Sequence, residues 1–186
     1  MVLPTREALE RRRKGYQRRG VVCGAFFLLL VAASLLPHLG IRGADEIYGR
    51  SLIPASRIFI KAQANADAFA GMDRPTIAAG LNISYLGFAL QQVGSFVGLF
   101  VFFALAAETV GRWTRRAMLV SGVLLIMSAA TVVTGYQLLT VGGAPTRLGV
   151  AWACALAAGL LMFLGALEAK KRLDSTWYWT RPDLNG

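Results

Sequence analysis

Histidine and cysteine are scarce in this sequence of 186 residues, and their scarcity excludes several kinds of chemistry. The chain contains one histidine, His38, and two cysteines, Cys23 and Cys154. Haem ligation by two imidazoles therefore cannot come from this chain alone. A metal site needs three or four ligands in one place, and the sequence offers no cluster of His, Cys or carboxylate side chains within its apolar runs. No Cys-x-x-Cys pair is present for thiol oxidation.

Acidic residues are also few, with 10 Asp and Glu against 20 Lys and Arg, so the formal net charge is +10. In a soluble protein this excess would suggest nucleic acid as a partner. Here 55% of the residues are hydrophobic, only 16% are charged, and the basic residues flank long apolar runs. Because Lys and Arg at such positions meet lipid headgroups, we expect membrane lipids, and no nucleic acid, as partners.

Four apolar runs contain no Asp, Glu, Lys or Arg and reach about 20 residues, the length that a helix needs to cross the hydrocarbon of a bilayer. The first run is too long for a secretory signal, and no small-x-small cleavage site follows it, so we interpret it as a retained span. The predicted fold is all-α: a polytopic membrane protein with a four-helix transmembrane bundle. The predicted spans are residues 21–40, 81–107, 117–141 and 148–167.

Residues 41–80, between the first two spans, are mixed in charge and contain two helix signals. In residues 54–70, apolar side chains recur at helical spacing on one face, so we expect an amphipathic interfacial helix on the extracytoplasmic surface. The second signal is Asp73-Arg74-Pro75, a capping residue with proline just inside the helix. It predicts the start of a helix that continues into the second span.

The distribution of basic residues predicts the orientation of the chain. Of the Lys and Arg residues, 14 lie in residues 1–20, in residues 168–186 and in the turn between spans two and three, against 6 in the opposite loops. Both termini are therefore expected in the cytoplasm, with the protein in a bacterial inner membrane. The side chains expected at lipid headgroups are Arg11, Arg12, Arg13, Arg18, Arg19, Trp113, Trp177 and Trp179.

Small residues recur at helical spacing within two spans, a pattern that favours close packing of helices. In the second span the same face also carries Gln91. Two arrangements fit this pattern, namely packing inside one bundle and a seam between two copies of the chain. The residues are Gly87, Gly94 and Gly98 in the second span, and Ala151, Ala155 and Gly159 in the fourth.

Several polar side chains lie in the middle or the outer half of the predicted spans. A polar group at that depth must find a partner, because no water is there to solvate it. One interpretation is hydrogen bonding between helices, and the other is a pocket, open to the outer leaflet, that binds a quinone or a lipid headgroup. The candidates are His38, Tyr85, Gln91, Tyr136 and Gln137.

The sequence shows no nucleophile motif, no phosphate-binding loop and no set of residues typical of an active site. We therefore expect a non-catalytic accessory or structural subunit of a larger membrane complex, with no cofactor bound by this chain alone. Its partners would be lipids and other membrane subunits, or a second copy of itself. The alternative is a binding or transport protein for a small molecule such as a quinone or a lipid-like compound.

Overall fold

Four long helices and a two-stranded sheet make up the part of the chain that the structure, a computed structural model, describes. This part comprises residues 6–36, 38–41, 73–106 and 112–179, and side chains are described for most of residues 21–39, 73–104 and 112–168. The helices are α1 (Arg6–Leu35), α2 (Arg74–Ala106), α3 (Arg112–Val141) and α4 (Ala151–Trp179), and the strands are β1 (Leu39–Ile41) and β2 (Thr146–Leu148).

Three of these helices are long and apolar enough to cross a membrane. The segments are Pro75–Ala104 of α2, Arg112–Val141 of α3 and Ala151–Glu168 of α4. The apolar segment of α1, Val21–Leu35, is shorter than the 20 residues predicted for the first span. Residues 6–20 belong to the same helix and precede this segment. The described part of the chain is therefore helical apart from one small sheet, with an apolar content compatible with a multi-pass membrane protein.

The helices run alternately in opposite directions, as the side-chain clusters at the two ends of the bundle show. One end, which we call the sheet end, joins the start of α2 to the end of α3 and to β1 through Leu39, Ile77, Leu139 and Ala144. The opposite end, which we call the basic end because Arg112, Arg115 and Arg116 lie there, has its own cluster. That cluster takes residues from all four helices, including Phe26, Val101, Met118 and Met162.

α3 and α4 approach each other closely at Gly122 and Gly159. A Cβ atom added to Gly122 would lie 3.0 Å from the carbonyl oxygen of Gly159, and one added to Gly159 would lie 2.9 Å from that of Gly122. Because both obstacles are main-chain atoms, which cannot rotate away, the contact requires glycine on both helices.

The two strands form an antiparallel ribbon that we did not predict from the sequence. Leu39 pairs with Leu148, and Ile41 pairs with Thr146. The ribbon ties the segment after α1 to the connection between α3 and α4. Strands of three residues have too little sequence to show a period of two, which is the reason the pattern gives no signal for them.

The ribbon lies beside a projecting part of α3. Gly159 packs against Gly122, and α4 begins at Ala151, two helical turns before Gly159, so the start of α4 lies level with the middle of α3. From that level α3 continues to Val141, roughly 16 Å further along its axis. The ribbon fills the space that a longer α4 would otherwise occupy.

α2 begins directly after Asp73, which caps it. The Thr76 hydroxyl donates to the Asp73 carboxylate at 2.6 Å, and the Ile77 N–H donates to the Asp73 carbonyl at 3.0 Å. The helix that contains the second span therefore starts at the capping motif, as the sequence predicted. The interfacial helix predicted for residues 54–70 lies outside the described residues.

Candidate functional site

The main-chain carbonyl of Ala33, in the last turn of α1, lacks its usual partner. In an α-helix, the carbonyl of each residue accepts a hydrogen bond from the N–H four residues later. Leu36 donates to Ala32 in this way, at 2.9 Å. The residue four positions after Ala33 is Pro37, which has no N–H to donate. The Ala33 carbonyl therefore needs another donor, because an unpaired carbonyl in apolar surroundings costs free energy.

Two side chains reach the Ala33 carbonyl oxygen. Nε2 of Gln91, on α2, donates to it at 2.7 Å. Nε2 of His38, between α1 and β1, lies 3.0 Å from the same oxygen, so this ring nitrogen carries the proton. Both side chains are buried, with 0% and 1% of their surface exposed. We call Ala33, His38 and Gln91 the polar node.

The polar node retains two acceptors. Oε1 of Gln91 and Nδ1 of His38 are buried and have no hydrogen-bond partner. An amide oxygen accepts hydrogen bonds, and so does Nδ1 of a neutral imidazole that is protonated on Nε2. The node therefore has two hydrogen-bond acceptors that no group of the described residues uses.

Buried serine hydroxyls have three different environments in the described part of the chain. The Ser84 hydroxyl donates to the carbonyl of Gly80 in its own helix, at 2.8 Å. Ser121 of α3 donates to the Gly94 carbonyl of α2 at 2.8 Å, a bond that links these helices as Gln91 links α2 to α1. The hydroxyl oxygens of Ser95 and Ser128 are also buried but have no hydrogen-bond partner. α2 is thus joined by side-chain to main-chain hydrogen bonds to both α1 and α3.

The structure brings together two of the five polar residues singled out from the sequence. His38 and Gln91 meet at the polar node. Tyr136 is half-buried and packs against the cluster at the sheet end. Tyr85 is 45% exposed, and Gln137 is exposed as well. The five residues therefore do not line one common pocket.

The glycine face of α2 points into the bundle. Gly87 and Gly94 face α3, and Gly98 faces both α3 and α1. A Cβ atom added to Gly98 would lie 2.8 Å from the ring of Phe26. The small residues of α4 are also buried, at Ala151, Ala155 and Gly159. Both faces are thus occupied by helices of the same chain.

Trp113, one of the aromatic residues expected at lipid headgroups, lies at the surface of the bundle. Trp113 is 78% exposed at the basic end, and the guanidinium carbon of Arg116 lies 5.2 Å from the centre of its ring. An exposed tryptophan beside arginine is typical of a membrane interface. The other predicted headgroup side chains lie outside the described side chains: Arg11, Arg12, Arg13, Arg18, Arg19, Trp177 and Trp179.

An apolar crevice opens near the basic end of the bundle. Residues of all four helices line it, and its enclosed volume is only about 40 Å³. The polar node does not line it. The lining residues include Val22, Phe26, Phe102, Met118, Met162 and Gly165.

A row of exposed apolar side chains runs along the outer surface of α2. Val93, Phe96, Phe100 and Phe103 follow one another at alternating spacings of three and four residues, and each is more than half exposed. This spacing is that of positions a and d in a heptad, by which one helix packs along another. We call these four residues the aromatic ridge. Sequence reasoning missed it, because the span is apolar on every side and only the packing shows which side is free.

Among the described residues, no group of three or more His, Cys, Asp or Glu side chains is placed to hold a metal ion. Comparison of the chain with protein-family models, with curated proteins and with solved structures gives no match. The features that bear on function are therefore the polar node, the crevice and the aromatic ridge.

Proposed function

We propose that this protein is a non-catalytic accessory subunit of a larger membrane complex, held in the bilayer by four helices and docked to a partner subunit through α2. The observation that carries the proposal is the contrast between the two sides of α2. Gln91, on the inner side, bonds to the main chain of α1, while the aromatic ridge covers the outer side. The inner side holds the bundle together, so the outer side is the one available to a partner.

The aromatic ridge is suited to packing against a helix within lipid. Lipid tails are as apolar as the ridge, so association there depends on van der Waals contact between fitted surfaces. Phe96, Phe100 and Phe103 offer three large rings in a row. The partner we propose is a transmembrane helix of another subunit, with small residues spaced to receive these rings.

α1 and the segment that follows it would complete the bundle as a fourth span. Phe26 belongs to the same cluster as Val101 of α2, and Leu39 packs in the same cluster as Ile77 of α2. The chain from Phe26 to Leu39 therefore runs along most of the length of α2. This supports four crossings, although the helix itself ends at Leu35.

In our proposed threading the basic end faces the cytoplasm of a bacterial inner membrane, and both termini lie on that side. Arg112, Arg115 and Arg116 lie at this end, whereas Arg147 lies in the ribbon at the opposite end. Lys and Arg accumulate in the cytoplasmic turns of membrane proteins, which supports this orientation.

Photo-crosslinking tests the docking face. Benzoylphenylalanine placed at Phe100 and irradiated in native membranes is expected to form an adduct with one partner subunit, identified by mass spectrometry. The matched control is Val123, 48% exposed on α3, where no protein adduct is expected. In addition, Phe100→Ala should reduce co-purification of the identified partner at least tenfold without lowering the amount of the chain. Equal adducts at both positions, or an adduct only between two copies of the chain, would overturn the proposal.

The alternative, binding or transport of a quinone or lipid-like molecule, is favoured by one observation, the apolar crevice. If the ligand instead binds at the polar node, Gln91→Leu should abolish binding of a ubiquinone probe while the bundle remains folded. Unchanged binding of the probe to this variant would exclude the node as the ligand site.

A further inference from the structure

We infer that lipid hydrocarbon covers the bundle only from the basic end to the level of Leu35, Ala130 and Ala151. Beyond that level residues 74–84 of α2, residues 134–141 of α3 and the ribbon stand clear of the hydrocarbon, as a part that we call the head. The inference rests on the four crossings proposed above. It assigns the surface that contacts acyl chains, which we call the lipid belt.

The start of α4 gives the first measure of this level. Gly159 of α4 packs against Gly122 of α3, and the two helices run in opposite directions. Counting back from Gly159 to Ala151 covers the same number of residues as counting forward from Gly122 to Ala130. Ala151 is therefore level with Ala130, and α3 continues beyond this level without α4 beside it.

The end of α1 lies at the same level. A Cβ atom added to Gly87 of α2 would lie 2.9 Å from the side chain of Val132, so these two residues are level. Gln91, one turn nearer the basic end, bonds to the last turn of α1. Leu35, where α1 ends, is therefore level with Ala130 to within about one turn. Two of the four helices thus stop where the head begins.

The exposed side of α3 changes from apolar to polar at this level. Between Arg116 and Thr140 its exposed residues follow one another at spacings of three or four, so they form one stripe along the helix. After Arg116 the stripe contains Val120, Val123, Met127 and Ala130, and then Thr134, Gln137 and Thr140.

The polar part of this stripe is unsuited to hydrocarbon. The hydroxyls of Thr134 and Thr140 donate to carbonyls of their own helix, so Gln137 is the more demanding residue. Its exposed amide would be costly to transfer into lipid tails, which offer it no hydrogen bond. Water or headgroups therefore surround this part of α3, and acyl chains surround the part before it.

The exposed side of α2 changes in the same way. Among its described side chains, the large apolar ones that are exposed begin at Tyr85, within about one turn of the boundary, and include the aromatic ridge. Nearer the sheet end the exposed residues of α2 are Pro75, Ala78, Ala79 and Asn82. Gln92 is exposed just inside the belt, but helical side chains lean towards the N-terminus, so its amide reaches back towards the boundary.

Tryptophans lie at both edges of the lipid belt. Trp113 is exposed at the basic end, and Trp152 is half-buried at the start of α4. Tryptophan favours the interface between membrane and water. Their levels are separated by roughly 24 Å along α3, and the apolar segment Val21–Leu35 of α1 is about 22 Å long. Because bilayers thin around short spans, a belt of this height allows α1 to cross.

Spin labels along the stripe of α3 test where the hydrocarbon ends. Single cysteines replace Val123, Met127, Gln137 or Thr140 in a full chain without its own two cysteines, which is labelled and reconstituted in phosphatidylglycerol and phosphatidylethanolamine liposomes. Power saturation compares collisions with oxygen, which concentrates in hydrocarbon, and with a polar nickel chelate, which stays in water. The ratio of oxygen to nickel collisions is expected to be about fivefold higher, or more, at Val123 and Met127 than at Gln137 and Thr140.

All four positions are exposed, so the labels displace no packed side chain, and thermal unfolding checks that each variant is folded. Asn82→Cys and Phe96→Cys repeat the comparison on α2, with the higher ratio expected at Phe96. A ratio at Gln137 and Thr140 equal to that at Met127 would overturn the inference, because α3 would then lie in hydrocarbon up to its end. So would equal ratios at Asn82 and Phe96.

These outcomes are separate from those of the proposed function. The labels are measured on the purified chain, so failure to find a partner subunit leaves the collision ratios unaffected. An adduct at Phe100 would likewise be unaffected by the position of the boundary, because Phe100 lies within the lipid belt whether or not the head stands clear of it.

Discussion

The side-chain amide nitrogen of Gln91 lies 2.7 Å from the carbonyl oxygen of Ala33, although these residues are 58 positions apart in the chain. The bond joins the middle of α2 to the last turn of α1. It supplies the hydrogen bond that Pro37 cannot give, since proline has no N–H. A polar side chain inside an apolar span is thus explained by the end of a neighbouring helix.

Replacement of Gln91 by leucine should destabilise the bundle, because the Ala33 carbonyl would retain only His38 as a donor. We expect a loss of about 1–2 kcal/mol in the free energy of unfolding. Reversible unfolding in mixed detergent micelles measures it. Gln92→Leu is the matched control, since Gln92 is exposed on the same helix and should change stability by less than about 0.5 kcal/mol. Equal losses in the two variants would contradict the role of the polar node.

Alanine at Gly159 should separate α3 from α4. Its Cβ atom would lie 2.9 Å from the Gly122 carbonyl oxygen, so the helices must move apart, at a cost of about 1–3 kcal/mol. Gly24→Ala is the control, because a Cβ atom there meets nothing within 4 Å. The control should be neutral or stabilising by up to about 1 kcal/mol. Thermal unfolding in detergent compares the two, and a stable Gly159→Ala variant would argue against this contact.

The register of the ribbon can be tested with cysteine pairs in a chain from which Cys23 and Cys154 have been removed. Ile41 and Thr146 are directly paired, so cysteines at these positions should form a disulfide on mild oxidation. Cysteines at Ile41 and Leu148, which are offset by two residues, should form it much more slowly. Electrophoresis without reductant reports both reactions. The opposite preference would show a different register.

Labelling of single cysteines tests the threading. With four crossings, a membrane-impermeant maleimide added outside intact cells should label a cysteine at Asn65 and should not label one at Thr5 or Thr180. Permeabilised cells are the control, because all three positions should then react. If α1 does not cross the membrane, the cysteines at Thr5 and Asn65 lie on the same side, so the maleimide should label both or neither. Labelling of Thr5 and Thr180 alone would show the inverted orientation.

The apolar runs and the cap of α2 could be predicted because they depend on local chemistry. A run of about 20 residues without Asp, Glu, Lys or Arg favours lipid wherever it occurs. Asp73 followed by Pro75 favours the start of a helix for equally local reasons, and α2 begins at that motif. For the same reason the composition indicated a membrane protein before any packing was known.

The sites could be predicted only in part. Gln91 was predicted to need a hydrogen-bond partner because it is a polar residue within an apolar span. Nothing in its own segment indicates that this partner is Ala33. The sequence showed the spacing of Phe96, Phe100 and Phe103, but not that this side of α2 is exposed. The crevice has no local signature at all, since residues of four separate helices line it.

The sequence by itself therefore determined that the chain is helical and apolar, and where α2 begins. The tertiary structure alone decided that Gln91 bonds to the last turn of α1, that a ribbon lies beside the end of α3, and which side of α2 remains free. The physical reason is the range of the interactions. Transfer into lipid and helix capping depend on neighbours in the chain, whereas the pairing of a carbonyl left without its N–H depends on whichever helix packs against it.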